Sequence, residues 1–387
     1  MRRRRSGTYV VSSTAGEKVE AFVPAPLPPH PALEVDSGLR DLVAAASLEL
    51  ARLNVAARMV PSTQWFIYGF VRKEAVLTSQ IEGTQATLTD LLAYEAGSGD
   101  KKPPEDVEEV CNYVRALEYA RAELASPKGL PLSLRLLKET HARLMRGVRG
   151  QHKQPGEFRN TQNWIGGTRP GNAIFVPPPP ERLAECLAKL ESYLHMKDDL
   201  PPLLRAGLVH VQFETIHPFL DGNGRLGRLL VGLLLEEWHL LESPLLYISL
   251  YFKQHRQEYY RRLDAVRRSG DWEGWSRFFL RGVAAIAAEA TDAAGRLFAL
   301  FDQDRKRLLG SPNASVAAIR LIDHLPRHPM ITIGGAVKIL DTTKPTATKA
   351  VAQLIEYGVL KETTGRRRGR SFAYAAYLDL LRKGTDL

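Results

Sequence analysis

The sequence predicts a mainly α protein, with one small β-hairpin set into its helical core and a separate small module at its C-terminal end. Three observations predict it. Apolar residues recur at three- and four-residue spacing through most of residues 37–308. The stretch "PGEFRNTQNWIGGTRPGNAIFVPPPP" breaks that period, placing a Gly-Gly pair and a Pro-Gly pair between β-branched and aromatic residues. Beyond "LGSPNAS", residues 309–315, three short helical patterns are followed by alternation around a basic turn.

Each segment has its own reason. Residues 1–36 are rich in proline ("AFVPAPLPPHPALE") and poor in periodicity, so they are expected to form an extended arm. Residues 37–128 form the first helical region. It includes "SGLRDLVAAASLELARLNVAARM", "STQWFIYGFVRKEAVLTSQIEG", "TLTDLLAYEA" with a threonine cap at Thr87 or Thr89, and "PPEDVEEVCNYVRALEYARAELA", which opens with proline and acids. Residues 129–308 form the core region. Its helices flank a hairpin centred near Gly167 to Gly171, and "RLGRLLVGLLLEEWHL", apolar nearly all round, is expected to be the central buried helix. Residues 314–387 form the last module.

Composition excludes several classes. The chain has 387 residues, 44% hydrophobic and 25% charged, enough for two or three soluble domains with real cores. It has 2 cysteines, Cys111 and Cys186, which supply neither a disulfide framework nor a cysteine zinc site and fit a reducing cytoplasm. The basic start "MRRRRSGTYVVSS" has no apolar core of a signal peptide. No long uncharged apolar run reads as a membrane span, since "LLVGLLLEEWHLL" is interrupted by Glu236 and Glu237. The net charge of +10 favours anionic partners.

The chemistry concentrates in "HPFLDGNGRLGRLL", residues 217–230. Pro218 stops the helix that ends at His217. Gly222 and Gly224 allow positive φ, so successive backbone N–H groups can line one concavity. The helix that starts near Arg225 adds its positive end, and Arg225 and Arg228, three apart, share a face and can hold separate phosphates. Asn223 can fix the loop or donate to an oxyanion. Asp221 either pairs with the arginines or holds Mg2+ against phosphates. His217 is a base suited to deprotonating an attacking hydroxyl. The set describes transfer of a phosphate-containing group to a hydroxyl; a polar loop between two core helices is the plain alternative.

"HPFLDGNGRLGR" resembles the signature of Fic-domain (Fic/Doc superfamily) proteins. "LTSQIEG" resembles the inhibitory-helix motif of members that carry their inhibitor N-terminally, here Thr78, Glu82 and Gly83. The hairpin lies where that family's substrate-positioning flap lies, with Thr161, Ile165, Gly166 and Gly167 as candidates. The resemblance implies a protein adenylyltransferase that moves AMP from ATP, with Mg2+, onto a hydroxyl side chain (Ser, Thr or Tyr) of a target protein and releases pyrophosphate. It implies His217 as base, Asp221 as Mg2+ ligand, and Gly222, Asn223, Gly224 and Arg225 as the anion hole for the α- and β-phosphates, with Arg228 on the γ-phosphate. Pro218, Phe219 and Leu220 belong to the same nucleotide-binding loop. Glu82, paired with Arg228, would remove the γ-phosphate anchor. Tyr259 and Tyr260 either pack on the adenine or belong to the core. The resemblance makes a homodimer plausible. Relatives of this fold also transfer UMP, phosphocholine or phosphate, and AMP removal is open if Glu82 can orient a water.

Two other readings use the remaining motifs. Glu214 with His217 and Glu236 with His239 sit at i, i+3, the spacing of di-iron bundles, but this leaves the glycines and arginines unexplained. Residues 314–387 carry twelve Lys and Arg against six Asp and Glu and resemble a winged helix-turn-helix. "TTKPTATKAVAQLIEYGVL" would be its recognition helix, offering Thr343, Lys344, Thr346, Thr348 and Lys349; "GRRRGR" would be its wing tip, with Arg366, Arg367 and Arg368 on phosphates or in the minor groove. That module would bind DNA or, with the same fold, serve as a protein-docking or dimerising module. A DNA-binding regulator with a sensing Fic domain is therefore the second function class.

Overall fold

The structure is a computed structural model that describes residues 5–60, 62–97, 103–366 and 369–387. In chain order its elements are β1 (Gly7–Thr14), β2 (Glu17–Pro24), α1 (Ser37–Arg58), α2 (Thr63–Ile81), α3 (Leu88–Gly97), α4 (Glu105–Ala125), α5 (Leu134–Leu144), α6 (Pro180–His195), α7 (Pro202–Ile216) and α8 (Asn223–Glu237). There follow α9 (Ser249–Gln254), α10 (Arg256–Ser269), α11 (Trp272–Leu309), α12 (Val316–His324), β3 (Met330–Thr332), α13 (Ile333–Leu340), α14 (Lys344–Glu356), β4 (Lys361–Glu362), β5 (Ser371–Ala373) and α15 (Ala375–Leu381). The mainly α expectation holds.

Two compact units emerge, and they cut across the boundaries expected from the sequence. The first comprises Met1–Ala51, Asn112–Glu242 and Tyr251–Ala287; the second comprises Arg52–Cys111, Ser243–Leu250 and Ala288–Leu387. The physical reason is helix length. Helices α1, α4 and α11 each begin in one unit and end in the other, so composition along the chain does not mark the division.

In the first unit α7 packs on α6, α8 and α10, and α5 packs on α8. Every residue of α7 from Leu203 to Ile216 is buried, so α7 shares the central place expected of α8 alone. Its ends are set locally. Pro202 occupies the first turn, where its missing N–H costs nothing, and the helix stops at His217, which takes the left-handed φ of 50° ahead of Pro218.

Residues 7–24 are not an extended arm. β1 and β2 pair antiparallel from Gly7↔Pro24 to Thr14↔Glu17, closed by Ala15 and Gly16, both at positive φ. A two-residue turn of that kind matches the twist of the flanking strands, and "TYVVSSTAGEKVEAFV" carries the β-branched residues for it. The proline-rich composition of residues 24–31 masked this signal. Val19 and Ala21 of β2 cluster with Val176, and Phe22 donates its amide to the Val176 carbonyl at 2.9 Å.

In the second unit α3 packs on α2, β3 and β5, and α15 packs on α2. Helices α12, α13 and α14 pack together, and the sheet order is β3-β5-β4, antiparallel. The expected linker falls between α11 and α12, where Ser315 caps α12 by accepting from the Ala318 amide. Arg367 and Arg368 lie outside the described residues.

Candidate functional site

Residues 217–228 join α7 to α8 within the first unit. The loop is held by side chains at both ends. Asn223 closes it: Oδ1 accepts from the Phe219 amide at 2.9 Å and Nδ2 donates to the Phe219 carbonyl at 2.8 Å. Of the two roles open to Asn223 in the sequence, this geometry carries loop fixation. The Phe219 ring is fully buried and its carbonyl also accepts from Asn163 Nδ2 at 3.1 Å. Pro218 has no N–H, and its carbonyl accepts from the Arg159 amide at 2.9 Å. Pro218 and Phe219, expected to bind the nucleotide, also frame the loop. Leu220 is half-buried.

Gly222 takes φ 75° at the N-cap of α8, where a Cβ would stand 2.7 Å from Met145 Sδ. Gly224 does not share this conformation; it lies inside the first turn of α8. The expected run of positive-φ glycines is thus a single one. At the helix start the Asn223 and Gly224 amides have no intrahelical acceptor.

Four side chains that sequence reasoning did not single out build this site. His141 of α5 is 1% exposed and lies flat on Phe219, ring centroids 3.8 Å apart at 11°. The Gly156 amide donates to its Nδ1 at 2.9 Å, so the proton sits on Nε2, which donates to the Asp221 carbonyl at 2.9 Å. Burial pushes the His141 pKa down to about 4, with Arg225 adding to the fall, against the Asp221 contact. Arg159, 2% exposed, donates to the carbonyls of His217 (2.9 Å), Pro178 (2.5 Å) and Thr161 (3.3 Å). It ties the loop to the segment before and after the hairpin. Lys153 Nζ lies 3.1 Å from Asp221 Oδ2. The sequence had offered only the loop arginines as partners for Asp221; Arg225 is farther, 4.0 Å from Oδ1. Burial alone would raise the Asp221 carboxyl, but Lys153 and the Gly222 amide hold it below its ordinary value. Met145 accepts from Arg225 Nη2 at 3.4 Å. None of these four carries a local sequence signal; His141 and Lys153 sit in ordinary helical and polar stretches.

His217 is half-buried, with Nδ1 enclosed. Burial, then the charges of Arg267 and Arg159, push its pKa down to about 3, against the Glu214 backbone and Asp221. The imidazole is therefore neutral, hence a base, at neutral pH. Arg225 and Arg228 are 4% and 2% exposed, two guanidinium groups held inside the protein on one face of α8.

The expected hairpin is reduced to one bridge, Ile165↔Phe175, in which Ile165 donates to Phe175 O at 2.8 Å and Ile174 donates back at 2.9 Å. Gly166 and Gly167 take φ 70° and 73°, and a 3-10 turn at Pro170–Asn172 follows. Asn172 Oδ1 accepts from the Thr168 and Arg169 amides at 3.0 Å each, so the tip is a closed loop rather than a ladder. Thr161, Gly166 and Gly167 are exposed and Ile165 half-buried. Arg169 meets Glu17 of β2 at 2.5 Å.

Tyr259 does not offer a face to an adenine. It is 1% exposed, stacked on Phe252 at 4.5 Å, and its hydroxyl lies 2.9 Å from His210 Nε2. His210 Nδ1 contacts the Gly227 carbonyl at 3.0 Å, an acceptor only, so Nε2 is unprotonated and the tyrosine hydroxyl donates. Tyr260 is 43% exposed and remains a candidate. The Glu-x-x-His pairs do not converge: Glu236 is engaged by Arg121 at 2.8 Å and His239 turns out of α8 at φ 58°. Among the described residues no three His, Cys, Asp or Glu side chains group to hold a metal ion.

In the second unit Thr78 is fully buried in α2, Glu82 is the exposed C-cap of that helix, and Gly83 follows at φ 98°. Lys344, Thr346, Lys349 and Arg366 are all exposed. No helix of the described residues is long and apolar enough to cross a membrane.

A loop that offers a neutral histidine, a carboxylate and two buried arginines at a helix start lies within a stretch that matches a known family. Residues 131–235 match the Fic/DOC family and residues 40–122 match the Fic/DOC family N-terminal region. Among curated relatives, the protein adenylyltransferase Fic of Drosophila grimshawi is 32% identical over 216 residues, 55% of this chain and 40% of that protein. The protein of the same name from Culex quinquefasciatus is 32% identical over 203 residues, 52% of this chain and 36% of that one. The chain thus spans about two-fifths of the length of these relatives. A Fic family protein from Desulfovibrio desulfuricans G20 shares the fold, with a TM-score of 0.58 at 22% identity over 88% of this chain and 97% of that one. So does Fic-1 (aa134–508) from C. elegans, with a TM-score of 0.51 at 22% identity over 69% and 74%.

Proposed function

We propose that this protein is an adenylyltransferase that moves AMP from ATP to a Ser, Thr or Tyr hydroxyl of a target protein. The observation that carries the reading is the neutral His217 set one loop away from the start of α8, whose buried face holds Arg225 and Arg228. The hydroxyl oxygen bonds to the α-phosphorus, the bond from that phosphorus to the bridging oxygen breaks, and pyrophosphate leaves. The hydroxyl proton passes to a nitrogen of His217. Arg225 and Arg228, already desolvated, stabilise phosphate charge without reorganising. The Asn223 and Gly224 amides face the same anion.

Asp221, 37% exposed, fits Mg2+, which takes one or two protein carboxylates and completes its shell from water and phosphate oxygens. When bound, the ion neutralises phosphate charge. Lys153 is the group that occupies Asp221 otherwise. Thr161, Ile165, Gly166 and Gly167 position the target segment through backbone groups, and Tyr260 packs on the adenine. Glu82, through Arg228, keeps the basal rate low. A cytoplasmic homodimer belongs to the same reading.

The test is incubation of wild type, Glu82→Gly and His217→Ala with Mg2+ and α-32P-ATP, read by gel and intact mass. Label that rises in the glutamate variant and disappears in the histidine variant supports transfer, base and inhibitor together. A second reading, a DNA-binding regulator, is favoured by the basic residues 314–387. It gains if no folded variant takes label and duplex DNA binds with a steep salt dependence.

A further inference from the structure

Within the second unit, α3 and the C-terminal module enclose a cleft of about 1310 Å3. Thr89, Ala93 and Gly97 of α3 form one wall. Lys338 of α13, Lys344 and Thr348 of α14, and Arg366 and Arg370 of the β4–β5 turn also line it. Those four cations face the cleft, and among the described residues no Asp or Glu lines it. All four are exposed, and none has an ion pair among the described residues. Cations nearby in the same unit behave otherwise: Arg305 meets Asp323 and Lys306 meets Asp302, each at 2.7 Å. The adjacent acid, Glu362, accepts from the Thr364 amide at 2.8 Å and the Gly365 amide at 3.0 Å, and after these turn contacts Arg370 also helps hold its carboxyl below its ordinary value. Ser371 Oγ, also in the lining, is buried without a hydrogen-bond partner.

Four like charges around a concavity repel one another and focus a positive potential inside it. An anion relieves both costs. The cleft exceeds the roughly 300–1,000 Å3 of ordinary small-molecule sites. Residues of α3 nevertheless share its lining with the first turn of α14, the part of a recognition helix that must enter a major groove. We propose that this cleft binds a small polyphosphorylated anion, of nucleoside-polyphosphate size, rather than a nucleic-acid duplex. The site is separate from residues 217–228, which belong to the other unit.

The experiment is calorimetric titration of the full-length protein with inorganic tripolyphosphate. Wild type, Arg228→Ala and Lys338→Ser/Arg370→Ser are compared, with melting temperatures recorded alongside. The expected result is saturable binding that survives Arg228→Ala and weakens at least about tenfold in the double variant, with a rise in the wild-type melting temperature on adding the probe. If the double variant melts below wild type, Lys344→Ser, at a solvent-exposed position, carries the comparison. Affinity unchanged in the cleft variants, or lost only in Arg228→Ala, overturns the proposal. So does tight binding of a duplex by a protein that ignores tripolyphosphate.

Discussion

His141→Phe isolates the hydrogen bonds that hold the 217–223 loop. The phenyl ring keeps the stack on Phe219, now 3.8 Å between centroids, and removes two polar contacts. The Gly156 amide loses its acceptor and the Asp221 carbonyl loses a donor, both at 2.9 Å. Each buried polar group left without a partner costs about 1–3 kcal/mol. The Asp221 carbonyl contact is only part-buried, so that side recovers some of this from water. The loop should therefore open more readily by about 2–4 kcal/mol, or about 30- to 1,000-fold in amide exchange. The assay is hydrogen exchange by mass spectrometry on peptides covering residues 154–160 and 217–224, with an α12 peptide as internal control. Transfer of label from ATP should fall in parallel. Exchange within about threefold of wild type would refute the clamp, and fast exchange with full labelling would refute its link to catalysis.

The remaining predictions concern protonation and the aromatic core. Burial pushes the pKa values of His141 and His210 down to about 4 and about 3 from an ordinary 6.5, so both are neutral in the fold. Their stabilisation is present in full above pH 6.5 and is lost as pH falls toward those values, because the unfolded chain then binds more protons; for His141 alone the loss is about 3 kcal/mol. Urea midpoints measured between pH 7 and 4 should fall steeply in wild type and less in His141→Phe, and equal slopes would show that His141 is not held neutral. Tyr259→Phe should cost about 1–3 kcal/mol by orphaning His210 Nε2 while leaving ATP affinity unchanged. Tyr260→Ala should do the reverse, and isothermal titration with thermal melting separates the two.

The legible part of the site was the part written contiguously. Residues 217–228 form one turn and one helix start, so their spacing already set which groups share a face. What was not legible came from elsewhere in the chain. His141, Met145, Lys153 and Arg159 reach the loop from α5 and the segment after it, at separations that no local period encodes. Tyr259 and Tyr260 show the same limit: adjacent in sequence, one is 1% exposed and the other 43%. The N-terminal hairpin was missed for a different reason, since the prolines after it outweighed a short alternating pattern closed by Ala15 and Gly16.

The sequence by itself determined the helical class, the order of the helices, the linker before α12 and the residue types that the loop carries. Apolar spacing, caps and breakers act within one turn of the chain, so they survive without a partner surface. The tertiary structure decided which glycine bends the loop, what Asn223 binds, which cation meets Asp221, and where the two units divide. Those outcomes depend on which buried polar group finds which partner once distant elements pack, and the cost of leaving one unpaired is what selects among them.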